Sequence, residues 1–293
     1  MHEFLKRYLY KKRALCSLFV FLTAVLYCVN LTAQIASTDH INAVQDSLKP
    51  YCKIILDINK TEEERVSANN RFKTILKRCL EKEGAENFIF DSIPLLAQLK
   101  PEDKSFVLYN WEMPHADGTF TFFGFILHKN NKFKRYQLVE LTDASSTIKR
   151  PETAVLKADN WYGAHYYKII TVKRKGKSYY CLLGADWNDR LSKKKLLEVL
   201  SFEKDGTVKF GAPIINYNKI ILNRLIFEYS SKISMSLNYN ENSKLIIFDH
   251  LSPIEENLKG QYQFYAPDLS YDALKFKKGK WQHIENIDAR NIK

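Results

Sequence analysis

Tyr166-Tyr167-Lys168-Ile169-Ile170-Thr171-Val172, a turn through Lys175-Gly176-Lys177, and Ser178-Tyr179-Tyr180-Cys181-Leu182-Leu183 form the stretch that decides the fold class. β-Branched and aromatic residues flank a glycine turn, the signature of a β-hairpin. Similar runs lie on both sides: Phe106 to Trp111, Thr119 to Leu127, Arg135 to Leu141, Leu222 to Tyr229, Lys244 to Phe248, Tyr262 to Tyr265 and Lys280 to Ile284. Asp117-Gly118, Asp205-Gly206, Asn240-Glu241-Asn242, Lys259-Gly260 and Lys278-Gly279 punctuate them. Strands joined by tight turns predict an antiparallel β meander over residues 101–293, built as a sandwich, a barrel or an incomplete propeller. The turns recur irregularly, which argues against a regular propeller repeat. In Phe120, Phe122, Phe123, Phe125 and Leu127 the alternation changes phase. A bulge and a strand buried on both faces both fit. Only Leu191 to Leu200 reads as a helix in this region, with Ser192 as its cap.

Residues 34–100 carry a different period. Ile41, Val44, Leu48, Cys52 and Ile55, then Phe72, Ile75, Leu76, Cys79 and Leu80, recur at helical spacing. Pro50 should kink or divide the first helix. Thr61-Glu62-Glu63-Glu64 has the form of a capping box, so the second helix should start near Glu62. Cys52 and Cys79 fall on the apolar stripes of this antiparallel pair. They are a disulfide candidate in an oxidising compartment, or two buried thiols.

At the N-terminus, Lys6, Arg7, Lys11, Lys12 and Arg13 precede an apolar run, Ala14 to Val29, broken only by Ser17 and Thr23. That length fits the apolar core of a signal peptide over residues 1–33, with cleavage after Ala33. An uncleaved inner-membrane anchor over residues 14–33 is the alternative, and the only expected membrane contact. Tyr27 before Cys28 is too large for a lipoprotein signal. Export leads to the periplasm, the outer surface or the medium.

The chain's 293 residues include 45 Lys and Arg against 33 Asp and Glu, with 45% hydrophobic and 13% aromatic residues. This composition excludes collagenous, coiled-coil and wholly disordered classes. Loss of residues 1–33 leaves a net charge of +8 and three cysteines. The basic residues are 34 Lys and 11 Arg, and a Lys-dominated surface lacks the bidentate forks of nucleic-acid readers. A solvated surface or a patch facing anionic envelope polymers fits better, and no nucleic-acid partner is expected.

Asp117 to Phe125, Trp161 to Ile169 and Gly260 to Asp272 resemble an uncharacterised family of exported bacterial proteins. The resemblance covers the chain from about Thr38 onward. It implies export and one shared architecture, and brings no activity with it.

The sequence has no G-x-S-x-G elbow, P-loop, G-x-G-x-x-G, H-E-x-x-H or C-x-x-C. Trp161, Tyr162 and His165 are candidate ligand contacts, because exposed rings stack on sugars or partners while buried ones are core. Asp186, Asn188 and Asp189 place three oxygen-bearing side chains in one loop, a weak calcium pattern or an Asx turn. Calcium is the only cofactor they bring into view. Asp268, Ser270 and Asp272 alternate as a second such pattern. Glu112, His115 and Asp117 offer an acid and a base in one loop, and Asp249-His250 is adjacent in sequence but splayed on a strand.

These readings predict an exported binding protein for a surface polymer or envelope partner. A glycan or peptide hydrolase using carboxylates gathered by the fold, and a structural assembly subunit, are the alternatives. The first consequence is checkable by mass spectrometry of the chain recovered from its host. The mature chain should begin at Gln34, and an intact Met1 start would select the anchor instead.

Overall fold

A strand with apolar residues on both parities has no solvent face, so it needs cover on both sides. The chain meets this demand by stacking sheets. The computed structural model describes residues 41–130 and 135–288. The expected signal peptide over residues 1–33 and anchor over residues 14–33 lie outside the described residues. The chain divides into two compact units, up to Ser47 and from Leu48 onward. Of the first, residues 41–47 are described, and they are helical.

In the second unit, residues 48–56 are helical through Pro50, which neither ends nor divides the run. Burial of Leu48, Cys52 and Ile55 outweighs the hydrogen bond that proline forfeits. The next helix is Glu62–Leu80, as the capping box foretold. The Glu64 amide donates to Thr61 Oγ1 at 3.2 Å, and the Thr61 amide donates to Glu64 Oε2 at 2.9 Å. Among the described residues, no helix is long and apolar enough to cross a membrane.

The protein is mainly β, in antiparallel sheets of which none closes into a barrel. The first sheet runs in the order β1 (Ala97–Leu99), β2 (Phe106–Pro114), β3 (Phe120–Asn130), β4 (Arg135–Thr142). The middle sheet draws on β5 (Leu156–Lys157), β6 (His165–Arg174), β7 (Lys177–Asp186), β8 (Ser192–Phe202) and β9 (Val208–Phe210), in the order β5-β9-β8-β7-β6. The third draws on β10 (Ile215–Tyr217), β11 (Ile220–Leu222), β13 (Leu237–Asn240), β14 (Leu245–Pro253), β15 (Tyr265–Lys277) and β16 (Lys280–Ile284), ordered β11-β10-β16-β15-β14-β13. β12 (Leu225–Ser230) pairs with β8. The strands of each pair are antiparallel except in β10 with β16, which is parallel.

Two cores lie on opposite faces of the middle sheet. Tyr166, Tyr180, Leu182, Leu196 and Leu200 pack with Phe106, Leu108, Phe122 and Ile126 of the first sheet. Cys181, Leu183, Leu197 and Val199 pack with Ile246, Phe248, Leu274 and Trp281 of the third. The second helix covers the other face of the first sheet, where Phe72 lies 5.3 Å from Trp111 and Asn69 Oδ1 accepts from Trp111 Nε1 at 2.8 Å.

This layering decides several expectations. β3 pairs with β2 without a register break from Phe106 opposite His128 to Pro114 opposite Phe120, so Phe122-Phe123 marks burial on both faces. Leu191 to Leu200, expected as a helix, is most of strand β8. With both faces buried its apolar residues lose the period of two, and the pattern mimics a helix. Tyr262 to Tyr265, expected as a strand, is a 3-10 turn, Tyr262–Phe264, leading into β15.

One charged pair lies wholly inside. Glu198 of β8 and Arg224, just before β12, are both 0% exposed, and Arg224 Nε donates to Glu198 Oε2 at 2.5 Å. Arg224 also donates to the carbonyls of Pro151 and Ala154 and lies over the Tyr162 ring. Arg224→Met should destabilise the protein by about 3–5 kcal/mol, because it strands the Glu198 charge. Adding Glu198→Leu should recover most of that loss in urea unfolding. A single variant near wild-type stability would refute this account.

Candidate functional site

The sequence between Asp249 and Asp272 builds the most unusual local geometry in the described chain. Asp249 pairs with Tyr271, but the next pair along is Leu251 with Pro267. His250 alone therefore opposes Asp268, Leu269 and Ser270, which bulge from β15. The bulge is fastened from within, since Asp268 Oδ1 accepts from the Ser270 amide at 3.0 Å and from its hydroxyl at 2.6 Å. At its apex Leu269 has φ 74°, in the left-handed region, with 91% of its surface exposed. Ile254, Tyr262, Phe264 and Tyr271 on the same two strands and their connection are also exposed.

Behind the bulge Asp272 is buried. Its Oδ2 accepts from His250 Nδ1 at 2.8 Å and from His283 Nε2 at 3.1 Å, while Oδ1 accepts from the Asn286 amide at 2.9 Å. An ionised carboxylate only accepts, so both facing ring nitrogens carry protons. That fixes both tautomers and leaves His250 Nε2 and His283 Nδ1 as acceptors when the rings are neutral. Burial works to raise the Asp272 pKa, but the bonds from His250, Asn286 and His283 hold it below the ordinary carboxylate value. The bond to Asp272 raises His250. The His283 ring lies 4.2 Å from that of Tyr217, which joins the cluster to β10.

Apart from Asp249, His250, Asp268, Ser270 and Asp272, the residues singled out from sequence fall elsewhere. Trp161 and Tyr162 are buried, so neither ring can stack on a ligand. Trp161 Nε1 donates to the Tyr166 hydroxyl at 3.3 Å, inside the core. His165 is half-buried and pairs with Glu112 at 2.8 Å, and Trp187 Nε1 donates to the same carboxylate at 3.3 Å. Glu112, His115 and Asp117 do not act together. His115 lies between Glu62 at 2.5 Å and Thr121 at 2.7 Å, and Asp117 accepts from the Thr119 amide and hydroxyl.

Asp186, Asn188 and Asp189 spend their polar atoms on their own loop. Asp186 Oδ1 accepts from the Asn188 amide at 2.7 Å, and Asp189 Oδ1 accepts from the amides of Leu191 and Ser192. Asn188 Oδ1 accepts from Lys194 Nζ at 2.6 Å, an amine where calcium would sit. Burial pushes the Asp186 pKa up to about 6. Among the described residues no three His, Cys, Asp or Glu side chains gather as a metal site.

Cys52 and Cys79, the disulfide candidate, are free, buried thiols, and burial pushes Cys52 up to about 11. Asp268 and Ser270 face each other within the bulge while Asp272 is buried, so the three do not form a common cation site. Asp249 accepts from the Ser236 amide at 2.6 Å. The partner of His250 is Asp272, 22 residues further along.

The cluster has a signed pH dependence. Asp272, held below its usual value, adds stability above about pH 4 that is lost as the pH falls. His250, held above its usual value, adds stability below about pH 6.5 that is lost as the pH rises. The pair contributes most between those limits, so Asp272→Asn should lower that plateau and weaken the falls in unfolding free energy that flank it, below about pH 4 and above about pH 6.5. Parallel profiles for variant and wild type would sink the assignment. No family model, curated protein or solved structure matches the chain, so the cluster stands on its own geometry.

Proposed function

We propose that this chain works by binding, as an exported protein that holds a surface polymer or another envelope protein through the bulged end of the β14–β15 hairpin. The observation that carries the reading is Leu269. A left-handed backbone costs a non-glycine residue about 1–2 kcal/mol, and an exposed leucine gains nothing from the fold in return. Among the described residues ten non-glycine positions have positive φ, and Leu269 alone of these is aliphatic. A side chain that is costly to hold and offered to solvent is explained when a partner buries it.

Binding is favoured over hydrolysis by how the acids are used. Glu62, Glu112 and Asp272 each hold an imidazole, and Asp186 and Asp189 hold their own loop. Each of these carboxylates is already engaged by a partner within the fold. The expected export supports an envelope partner, and the Lys-rich surface suits one carrying negative charge.

Leu269→Gly separates this role from a structural one. Glycine adopts the left-handed region without strain, so the melting temperature should hold or rise. Burying a leucine is worth about 1.5–3 kcal/mol, so partner capture should fall about tenfold or more. The measurement is in-cell photocrosslinking from position 271, with mass spectrometry of the captured species. Equal capture by the variant and the wild type would overturn the proposal.

A further inference from the structure

The parallel pairing of β10 with β16 opens a cleft of about 510 Å³ lined by Asn216, Asn218, Lys219, Gln282, His283 and Glu285. Every lining side chain is polar, and the volume falls within the usual range for small-ligand sites. Much of this polarity is unspent. Lys219 and Glu285 make no ion pair and Asn218 makes no side-chain hydrogen bond among the described residues. Asn216 Nδ2 donates to Gln282 Oε1 at 2.7 Å, which leaves the Gln282 amide protons free and Asn216 Oδ1 buried without a partner. His283 has given Nε2 to Asp272, so Nδ1 remains as an acceptor.

The lip of the cleft is a strained turn. The two-residue turn Asn218-Lys219 joins β10 to β11, with φ 48° and 67°. Such turns strongly favour glycine at the second position. The chain follows that preference at Lys175-Gly176 and Lys278-Gly279, with the same signs of φ, but places Lys219 here. Left-handed non-glycine residues persist where surrounding structure or function holds them. Lys219 is exposed, and it lines the cleft.

We infer that this cleft binds a neutral, hydroxyl-rich ligand, a saccharide unit of one or two rings. Amides supply donors and acceptors side by side, and a hydroxyl needs both. The one ammonium and one carboxylate balance, whereas an anionic or cationic ligand would call for an excess of one sign. Its walls pair these polar groups with the carbon stems that carry them, a mixture that matches the alternating hydroxyl and C–H surface of a sugar. This site is separate from the Leu269 surface and stands if that surface has no partner.

The test uses the full chain and a panel of methyl α-glucoside, methyl α-mannoside, methyl β-galactoside, N-acetylglucosamine, lactose and cellobiose, with glycylglycine as a zwitterionic comparison. Binding is read by saturation-transfer NMR and calorimetry. At least one sugar should bind with Kd of about 1 mM or tighter, and Lys219→Gly and Gln282→Ala should each weaken it about tenfold. Lys219→Gly should melt no lower than wild type, since glycine relaxes the turn. The inference is overturned if no sugar binds at about 20 mM, if neither cleft variant weakens binding, or if glycylglycine binds in preference to every sugar.

Discussion

A sheet buried on both faces has no solvent side on which to put its charges, and Glu198 sits in the middle of one. The structure depends on how that charge is met. Burial pushes the Glu198 carboxyl upward in pKa, and Arg224 opposes the shift with a direct bond and its charge. The pairing also dictates position. For the guanidinium to reach Glu198, the segment before β12 must enter the interior beside the carbonyls of Pro151 and Ala154. β12 then runs along the first half of β8, while β9 pairs with its second half. Apolar residues of similar size could fill the same space at equal or lower cost. What the ion pair adds is register: a carboxylate at 198 accepts one arrangement of β12, whereas a greasy interior tolerates slippage.

That register carries through to the third sheet. β12 sends Leu225, Phe227 and Tyr229 into the core shared with Phe248, Leu274 and Trp281. Phe227 lies 4.7 Å from Phe248 and 6.0 Å from Tyr217, whose ring rests on His283. A chain of ring contacts thus links β12, the strand that follows the buried arginine, to the Asp272 cluster. Asp272 repeats the same solution at smaller scale. It is a buried carboxylate opposite Phe248, and two imidazoles and a backbone amide take up its lone pairs. Both the bulge and the polar cleft are built on the residues that this carboxylate holds.

Much of the architecture was legible in the sequence because it is written in short-range patterns. The capping box at Thr61, the Lys-Gly turns and most of the longer strands follow from neighbours a few residues apart. The misread and missed segments have separate causes. Leu191 to Leu200 looks helical because burial on both faces erases alternation, and the short strands β5, β9, β10 and β11 carry too few residues for any period to emerge. The candidate site was legible only in fragments. Asp272 and His250 were each noticed, but apart: Asp272 in an alternating acidic pattern, and His250 beside an Asp249 that a strand turns to the opposite face. The pairing that matters spans two strands and depends on a bulge whose sequence, Asp268-Leu269-Ser270, differs little from an ordinary turn.

The aromatic string Trp161 to Tyr167 shows why side-chain chemistry alone misplaces a binding surface. Rings suited to stacking on a ligand are equally suited to filling a core, and only exposure separates the two. Strain is a better guide, because packing explains a buried ring but does not explain a costly backbone conformation at a solvent-exposed apex. Leu269 and Lys219 are both held in conformations that glycine would adopt without penalty, and neither side chain is needed by the layers beneath it. Both positions lie on the same sheet, one on an apolar ridge and the other at a polar cleft, with the buried Asp272 between β14 and β16 supporting each. The sheet that closes the core from one side is therefore also the one that carries the chain's unspent chemistry.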